Sequence, residues 1–347
     1  MTADPFHLIV LIVGYRNADD IDRCLKSLAR SRWPTFSVYI CENGRRAAYD
    51  QLIATVSGPG QTLQAAPDVH EPANRKTDRF VTHASFRFSS RDGLVHIGLA
   101  KDNFGYGGGV NAWLEQMIGR TDWDAALILN PDTEVHPDCL TELIAKSREG
   151  FGMVGGTLVF ENEPNEVISY GLRWARLSGR MIAVGRHRPA GSEPSSAELD
   201  MIDAISGACV LVTRQFVEDV GLMAEDYFLY MEDLDWGRRR GRHRIGFAAK
   251  AVTQHVGGTT IGSGHDSKTR SPLSIYLSER NRILYAKRFA GWLLLNHFAI
   301  GLLYALRYSI LAGPSSGKMA MLGLRDGLRG LTGAPKFPLT QQREHKA

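Results

Sequence analysis

The segment Phe228-Leu229-Tyr230-Met231-Glu232-Asp233-Leu234-Asp235-Trp236 sets three carboxylates among apolar and aromatic residues that belong in a core. Burying carboxylates is costly unless they are paired, hydrogen-bonded or metal-bound, so something beside this segment must compensate them. A second acidic cluster, Asn130-Pro131-Asp132-Thr133-Glu134, ends the apolar run Leu127-Ile128-Leu129. A tight turn of oxygen ligands suits a hard divalent cation, Mg2+ or Mn2+, which keeps waters and substrate phosphates in its remaining positions. A partly desolvated Asp has the raised proton affinity that a general base for a sugar hydroxyl needs. Together the clusters point to a cation and a base in one cleft. Each also has a plainer reading, as a capped helix start or a polar strand-end turn. Capping does not explain Tyr227 to Met231, whose side chains would bury the segment.

Lys101 to Asn111 (KDNFGYGGGVN) is a glycine-rich turn opening a helix. Glycines let backbone approach a ligand closely, and a helix N-terminus favours phosphate. The same pattern also serves a tight strand-to-helix turn with no ligand. It is not a P-loop, since no Gly-Lys-Ser/Thr follows. Arg238, Arg239 and Arg240 follow the first cluster and could face a diphosphate or simply water. His255 closes the apolar-leaning stretch 245–256, either as a structural residue or as a metal ligand.

These residues need elements to position them. Residues 7–13 (HLIVLIV) form a continuous apolar run ending at Gly14, the pattern of a buried parallel strand. Residues 18–29 carry Ile21, Cys24, Leu25 and Leu28 at helical spacing, with Asp19 and Asp20 at the start. Strands at 37–41, 94–99 and 125–129, with a helix at 47–56, continue the alternation and predict an α/β, doubly wound, Rossmann-like sheet of mixed or parallel strands. Ligands of such sheets lie beyond the carboxyl ends of the strands. Tyr15-Arg16-Asn17, Glu42-Asn43, the glycine-rich turn and Asn130 to Glu134 all fall there. Residues 57–92, rich in Pro, Gly, Ser and charge, read as a surface insertion, and 185–196 as a shorter linker. Long helical patterns begin near residue 271. The expected division is a catalytic unit over 1–265 and a helical extension over 266–347.

A formal charge of +4 suits an anionic small ligand or an anionic membrane surface and is far from a nucleic-acid footprint. The four cysteines show no CxxC pair; Cys24, Cys41 and Cys209 lie in apolar patterns and read as buried thiols of a reducing cytoplasm. No basic segment followed by a long apolar stretch opens the chain, so no signal peptide is expected.

Taken in order, GYRN, ENG, NFGYGGGVN, LNPDTE, SGACVLVTR, VGLMAEDYFLYMEDLDWGRR and a later His resemble glycosyltransferase family 2, the inverting enzymes of GT-A fold, and especially its bacterial rhamnosyltransferase-like members. The resemblance covers residues 8–255. It implies that Asp132 sits in the DxD-like turn that holds a divalent cation on the donor diphosphate, with Asn130 where many relatives have Asp and Glu134 helping from outside. It implies that Asp233 is the general base with Glu232 beside it, and that His255 contacts metal or diphosphate. Glu42 would read the nucleobase or ribose. Tyr15, Asn17, Asn103, Gly107, Asn111 and Arg238 would complete the donor site. Asp235 then looks like a structural residue of the helix start. The implied donors are dTDP-L-rhamnose or a UDP-sugar such as UDP-galactofuranose, and the implied acceptor is a glycan or lipid-linked hydroxyl in cell-surface polysaccharide synthesis.

Residues 292–312 are long enough to cross a bilayer but contain Asn296, His297 and Arg307. An amphipathic segment on the domain, on a second subunit or on the inner face of the plasma membrane is the favoured reading, with flanking basic residues suited to anionic headgroups. Two other functions compete: a nucleotidyltransferase, for which GYRN offers only Arg16 as a basic signature, and a catalytically silent sugar-nucleotide-binding subunit.

Overall fold

The computed structural model describes residues 6–69, 78–255 and 270–336. The first half runs β1 (Leu8–Gly14), α1 (Ala18–Ala29), β2 (Phe36–Glu42), α2 (Arg45–Val56), β3 (Leu63–Ala65), β4 (Phe80–Phe88), β5 (Leu94–Ala100), α3 (Gly105–Met117), β6 (Ala125–Leu129), β7 (Thr133–Val135) and α4 (Cys139–Ser147). There follow β8 (Phe151–Phe160), β9 (Val167–Ser169), β10 (Gly171–Ala175), β11 (Arg180–Val184), α5 (Ser196–Asp200), β12 (Cys209–Thr213), α6 (Arg214–Val220), α7 (Glu232–Arg238) and β13 (Arg244–His255). The chain closes with α8 (Pro272–Phe289), α9 (Leu294–Ala312) and α10 (Pro314–Arg329).

Strand β1 is buried along its whole length, and its alternate residues enter two separate cores. Leu8, Val10 and Ile12 join Ile21, Cys24, Leu25 and Leu28 of α1. Ile9, Leu11 and Val13 join Val110, Trp113 and Leu114 of α3. Helices therefore cover both faces, as a doubly wound sheet requires. The sheet order is β3-β4-β5-β2-β1-β6-β12-β8-β13-β7, with β9 on β8, and β10 and β11 form a separate hairpin. β5, β2, β1 and β6 are parallel, whereas β12 runs antiparallel between β6 and β8.

Residues 57–92 differ from the expected surface insertion. β3 and β4 add antiparallel strands to the sheet edge beside β5. Phe86 and Phe88 are buried, but polar residues alternate with them on the open face, so composition alone reads as loop. Residues 70–77 lie outside the described part. So do 256–269, which contain the expected boundary at 265. Beyond that gap, α8 is joined to the catalytic segment by buried hydrogen bonds. The four cysteines are buried and unpaired, Cys139 included.

Candidate active site

At the end of β6, the Asn130 carbonyl accepts from the Thr133 hydroxyl at 2.6 Å and closes the turn that presents Asp132. Strand β13 pairs with β7 so that His255 stands opposite Thr133. His255 Nε2 consequently lies 3.1 Å from Asp132 Oδ1 and 3.3 Å from Asn130 Nδ2. Burial pushes the Asp132 carboxyl up, but the hydrogen bond and charge of His255 outweigh it and hold the group below its ordinary value. One carboxylate and one imidazole form a mixed oxygen and nitrogen donor set that fits Mg2+ or Mn2+, leaving positions for diphosphate oxygens. Among the described residues no third His, Cys, Asp or Glu joins them. Glu134 lines a small depression with Asp132, but its carboxylate pairs with Arg30 at 3.4 Å and stands beside the ligand pair instead of in it.

The segment Ser206-Gly207-Ala208 ties the other parts to this turn. The Gly207 amide donates to Asp233 Oδ2 at 3.2 Å, the Gly207 carbonyl accepts from the Tyr106 hydroxyl at 2.6 Å, and the Ala208 carbonyl accepts from the Asn130 amide at 3.0 Å. Asp233 also accepts from the Leu234 amide at 2.7 Å. Burial raises the Asp233 carboxyl above its ordinary value, and those two amides limit the rise. Burial first, then the Asp233 charge, push Glu232 up to about 8. Glu232 Oε2 is buried with no protein partner. Of the two, Asp233, with an amide donor on each oxygen, is the better-supported anion. Burial, followed by the charges of Glu232, Asp233 and Asp132, raises the Tyr106 phenol well above its ordinary value. Tyr106 and Gly207 are residues that the sequence reading quoted within motifs but gave no role.

The chain before Glu232 is held in an unfavourable shape. Phe228, Tyr230 and Met231 have φ of 64°, 70° and 80°, a region that side-chain-bearing residues avoid. The Asn281 amide of α8 donates to the carbonyls of Tyr227, Leu229 and Tyr230 at 2.9, 2.7 and 3.0 Å. Arg280 Nη2 adds a bond to the Tyr227 carbonyl at 2.8 Å. Both side chains are buried, so this clamp is built into the core. Asp235, fully buried, pairs with Arg239 and Arg288 and accepts from the Tyr227 hydroxyl, which fits the structural role expected of it.

At the ends of β1 and β2 a second group of polar atoms waits without partners. Glu42 Oε1 accepts from the amides of Arg16 and Gly44 at 3.2 and 2.6 Å, while Oε2 is buried and unpartnered. Burial raises the Glu42 carboxyl despite those amides. Asn17 Oδ1 accepts from the Tyr15 amide at 3.0 Å, and its Nδ2 is buried without a partner. Buried polar atoms normally find partners, so an open acceptor on Glu42 at the end of β2 and an open donor on Asn17 just beyond β1 mark a ligand position.

The glycine-rich turn serves a different purpose from the one expected. A Cβ on Gly105 would lie 2.0 Å from the Phe228 carbonyl, and one on Gly107 would meet Ala224, Met223 and Glu232. The first amides of α3 are taken by protein: Gly105 N–H donates to Asn103 Oδ1 at 3.0 Å and Tyr106 N–H to the Phe228 carbonyl at 2.8 Å. Asn111 is buried and bonds Met223 and Glu225. Asn111 and the close approaches at Gly105 and Gly107 thus fasten α3 to the chain ahead of Glu232, while Asn103 closes the turn at the helix start. Arg238 is exposed at the C-terminal end of α7, and its charge acts on the Tyr285 phenol. Arg239 and Arg240 bond backbone carbonyls, so neither is free for a diphosphate.

A family model described as "Glycosyltransferase like family 2" matches residues 5–286. An N-acetylglucosaminyl-diphospho-decaprenol L-rhamnosyltransferase of Mycobacterium tuberculosis is 27% identical over 309 residues, covering 82% of this chain and 86% of that protein. A low-salt glycan biosynthesis hexosyltransferase of Haloferax volcanii is 23% identical over 201 residues, 57% of this chain and 62% of that protein. In structure, S. aureus TarS 1–349 in complex with UDP-GlcNAc superposes with a TM-score of 0.52 at 12% identity, covering 94% of this chain and 82% of that one. The likeness establishes a shared GT-A type fold, with mixed sheet and C-terminal helices.

Proposed function

Since the chain belongs to glycosyltransferase-like family 2, we propose that it moves L-rhamnose from dTDP-L-rhamnose, with inversion, to a hydroxyl of a lipid-linked glycan in cell-surface polysaccharide synthesis at the cytoplasmic membrane face. The observation that carries the catalytic part is the Ser206-Gly207-Ala208 segment, which holds Asp233 by one amide and the Asp132 turn by one carbonyl, with His255 on Asp132. The choice of sugar and acceptor is supported by the mycobacterial relative, whose name gives both.

Asp233 takes the proton of the acceptor hydroxyl as its oxygen attacks the anomeric carbon. The bond to the diphosphate breaks on the opposite face, so one displacement inverts the centre and no covalent enzyme intermediate forms. Glu232, protonated beside it, keeps a second negative charge out of the pocket. A divalent cation held by Asp132 and His255, with Asn130 adjacent, would stabilise charge on the leaving diphosphate. Glu42 Oε2 accepts a pyrimidine N–H and Asn17 Nδ2 donates to a pyrimidine or ribose oxygen, with Tyr15 alongside. The test is a thermal-shift screen of dTDP- and UDP-sugars with and without Mn2+ or Mg2+. Metal-dependent stabilisation, largest for dTDP-L-rhamnose, is expected. No stabilisation by any nucleotide sugar overturns the reading.

A further inference from the structure

Helix α9 turns one face inward and leaves the other bare. His297, Gly301, Ala305 and Tyr308 are buried, while Trp292 (81% exposed), Leu295 (85%), Leu303, Leu306 and Ile310 (72%) recur at helical spacing on the outward side. The segment Gly291–Ala312 is long and apolar enough to cross a bilayer. Its inward face is nonetheless packed on α8 and α10, and Arg282 Nη1 donates to the His297 carbonyl at 2.9 Å. That packing fixes α9 along the body of the protein, the posture of an interfacial helix.

The β10–β11 hairpin extends the same face. Trp174 stacks on His297 at 5.6 Å with the rings 5° apart, and Asn296 donates to the Leu177 carbonyl at the hairpin tip, which brings exposed Leu177 beside α9. The hairpin region from 171 to 186 carries Arg173, Arg176, Arg180 and Arg186 and no acid. From 291 to 336 the basic residues are Arg307, Lys318, Arg325, Arg329 and Lys336, and the sole acid, Asp326, is buried on Tyr276 and Arg325. Leu172 of the hairpin also pairs with Ala204, three residues before the Gly207 that holds Asp233.

We propose that α9 and the β10–β11 tip form one docking face for an anionic phospholipid surface, an inference that rests on the lipid-linked acceptor proposed above. Apolar residues enter the headgroup boundary and the arginines and lysines meet lipid phosphates. A second copy of the chain fits poorly, because a two-fold interface would set the same basic patch against itself.

Five of the six tryptophans are buried and Trp292 is the exposed one, so it reports contact directly. The intact chain is mixed with phosphatidylcholine vesicles with or without phosphatidylglycerol, both containing brominated lipid. A blue shift and quenching with the anionic vesicles, at least ~10-fold weaker with neutral ones, is expected. Leu303→Glu with Leu306→Glu should weaken anionic binding more than ~10-fold, and Arg176→Glu with Arg180→Glu should remove the preference for phosphatidylglycerol. Absence of quenching, equal binding to neutral vesicles, or a dimer in sedimentation equilibrium that the leucine variant dissolves overturns the proposal. Nucleotide-sugar binding measured without vesicles separates the outcomes. Its failure alone removes the transferase reading and leaves the docking face standing.

Discussion

Replacing Asn281 tests how the C-terminal extension serves the chemistry. The Asn281 amide has two protons shared among three carbonyls, and the Tyr227 carbonyl also accepts from Arg280 and from the Leu229 amide. Asn281→Ala therefore takes the side-chain donor from the Leu229 carbonyl, at about 1–3 kcal/mol if it stays buried, and loosens the hold on Tyr227 and Tyr230. Against this, letting Phe228, Tyr230 and Met231 leave positive φ returns about 1–3 kcal/mol apiece. Release of that strain favours rearrangement of the loop, and the net global loss should be about 1–3 kcal/mol. Rearrangement carries Glu232 and Asp233 with it, and a misplacement near 1 Å costs roughly 100-fold in rate. Urea unfolding and steady-state transfer assays on Asn281→Ala, and on Asn281→Asp, which keeps the size but loses the donors, should show kcat down ~30- to 300-fold with donor KM within about threefold. The donor-reading atoms of Asn17 and Glu42 belong to the ends of β1 and β2 and are untouched. A variant that loses stability while keeping wild-type kcat would refute the reasoning.

Three further outcomes follow from local geometry. Glu232 has a folded value near 8 against an ordinary 4.5, so its protonated form favours the fold; stability is fullest below pH 4.5 and declines as pH rises through 8. Glu232→Gln should remove that decline, up to about 1.4 kcal/mol per pH unit, in urea titrations of both proteins between pH 5 and 8. Gly105→Ala, at φ +73° and against the Phe228 carbonyl, should cost more than about 3 kcal/mol or prevent folding, whereas Gly119→Ala, at φ +80° in open space, should cost about 1 kcal/mol by the same unfolding assay. Burial pushes Cys24 up to about 12 and raises Cys41, the hydrogen bond to Cys209 and then burial raise Cys139, and all four thiols are enclosed. Iodoacetamide should leave the native chain unmodified by mass and label four sites in urea.

The parallel strands were legible because an uninterrupted apolar run such as residues 7–13 can satisfy helices on both sheet faces. The edge strands within 57–92 were not, since their open face alternates polar residues into a loop-like composition. Asp132, His255, Glu232 and Asp233 were each visible as chemistry-bearing types, but the two clusters are linked through the Gly207 segment, which no spacing reveals. The glycine-rich turn misled for a physical reason. Glycine marks a close approach without saying to what, and here the partner is the protein's own backbone at Phe228. Asn281 carries no signal in sequence, because its importance lies wholly in three carbonyls donated by a distant loop.

The most direct measurement is calorimetric titration of dTDP with Mn2+, paired with sugar-transfer assays, on the wild type, Asp132→Asn and Asp233→Asn. The account predicts that Asp132→Asn loses metal-dependent nucleotide binding, while Asp233→Asn binds within about threefold of wild type and transfers at least ~1,000-fold more slowly. Near wild-type transfer by Asp233→Asn, or nucleotide binding indifferent to both metal and Asp132, would contradict it.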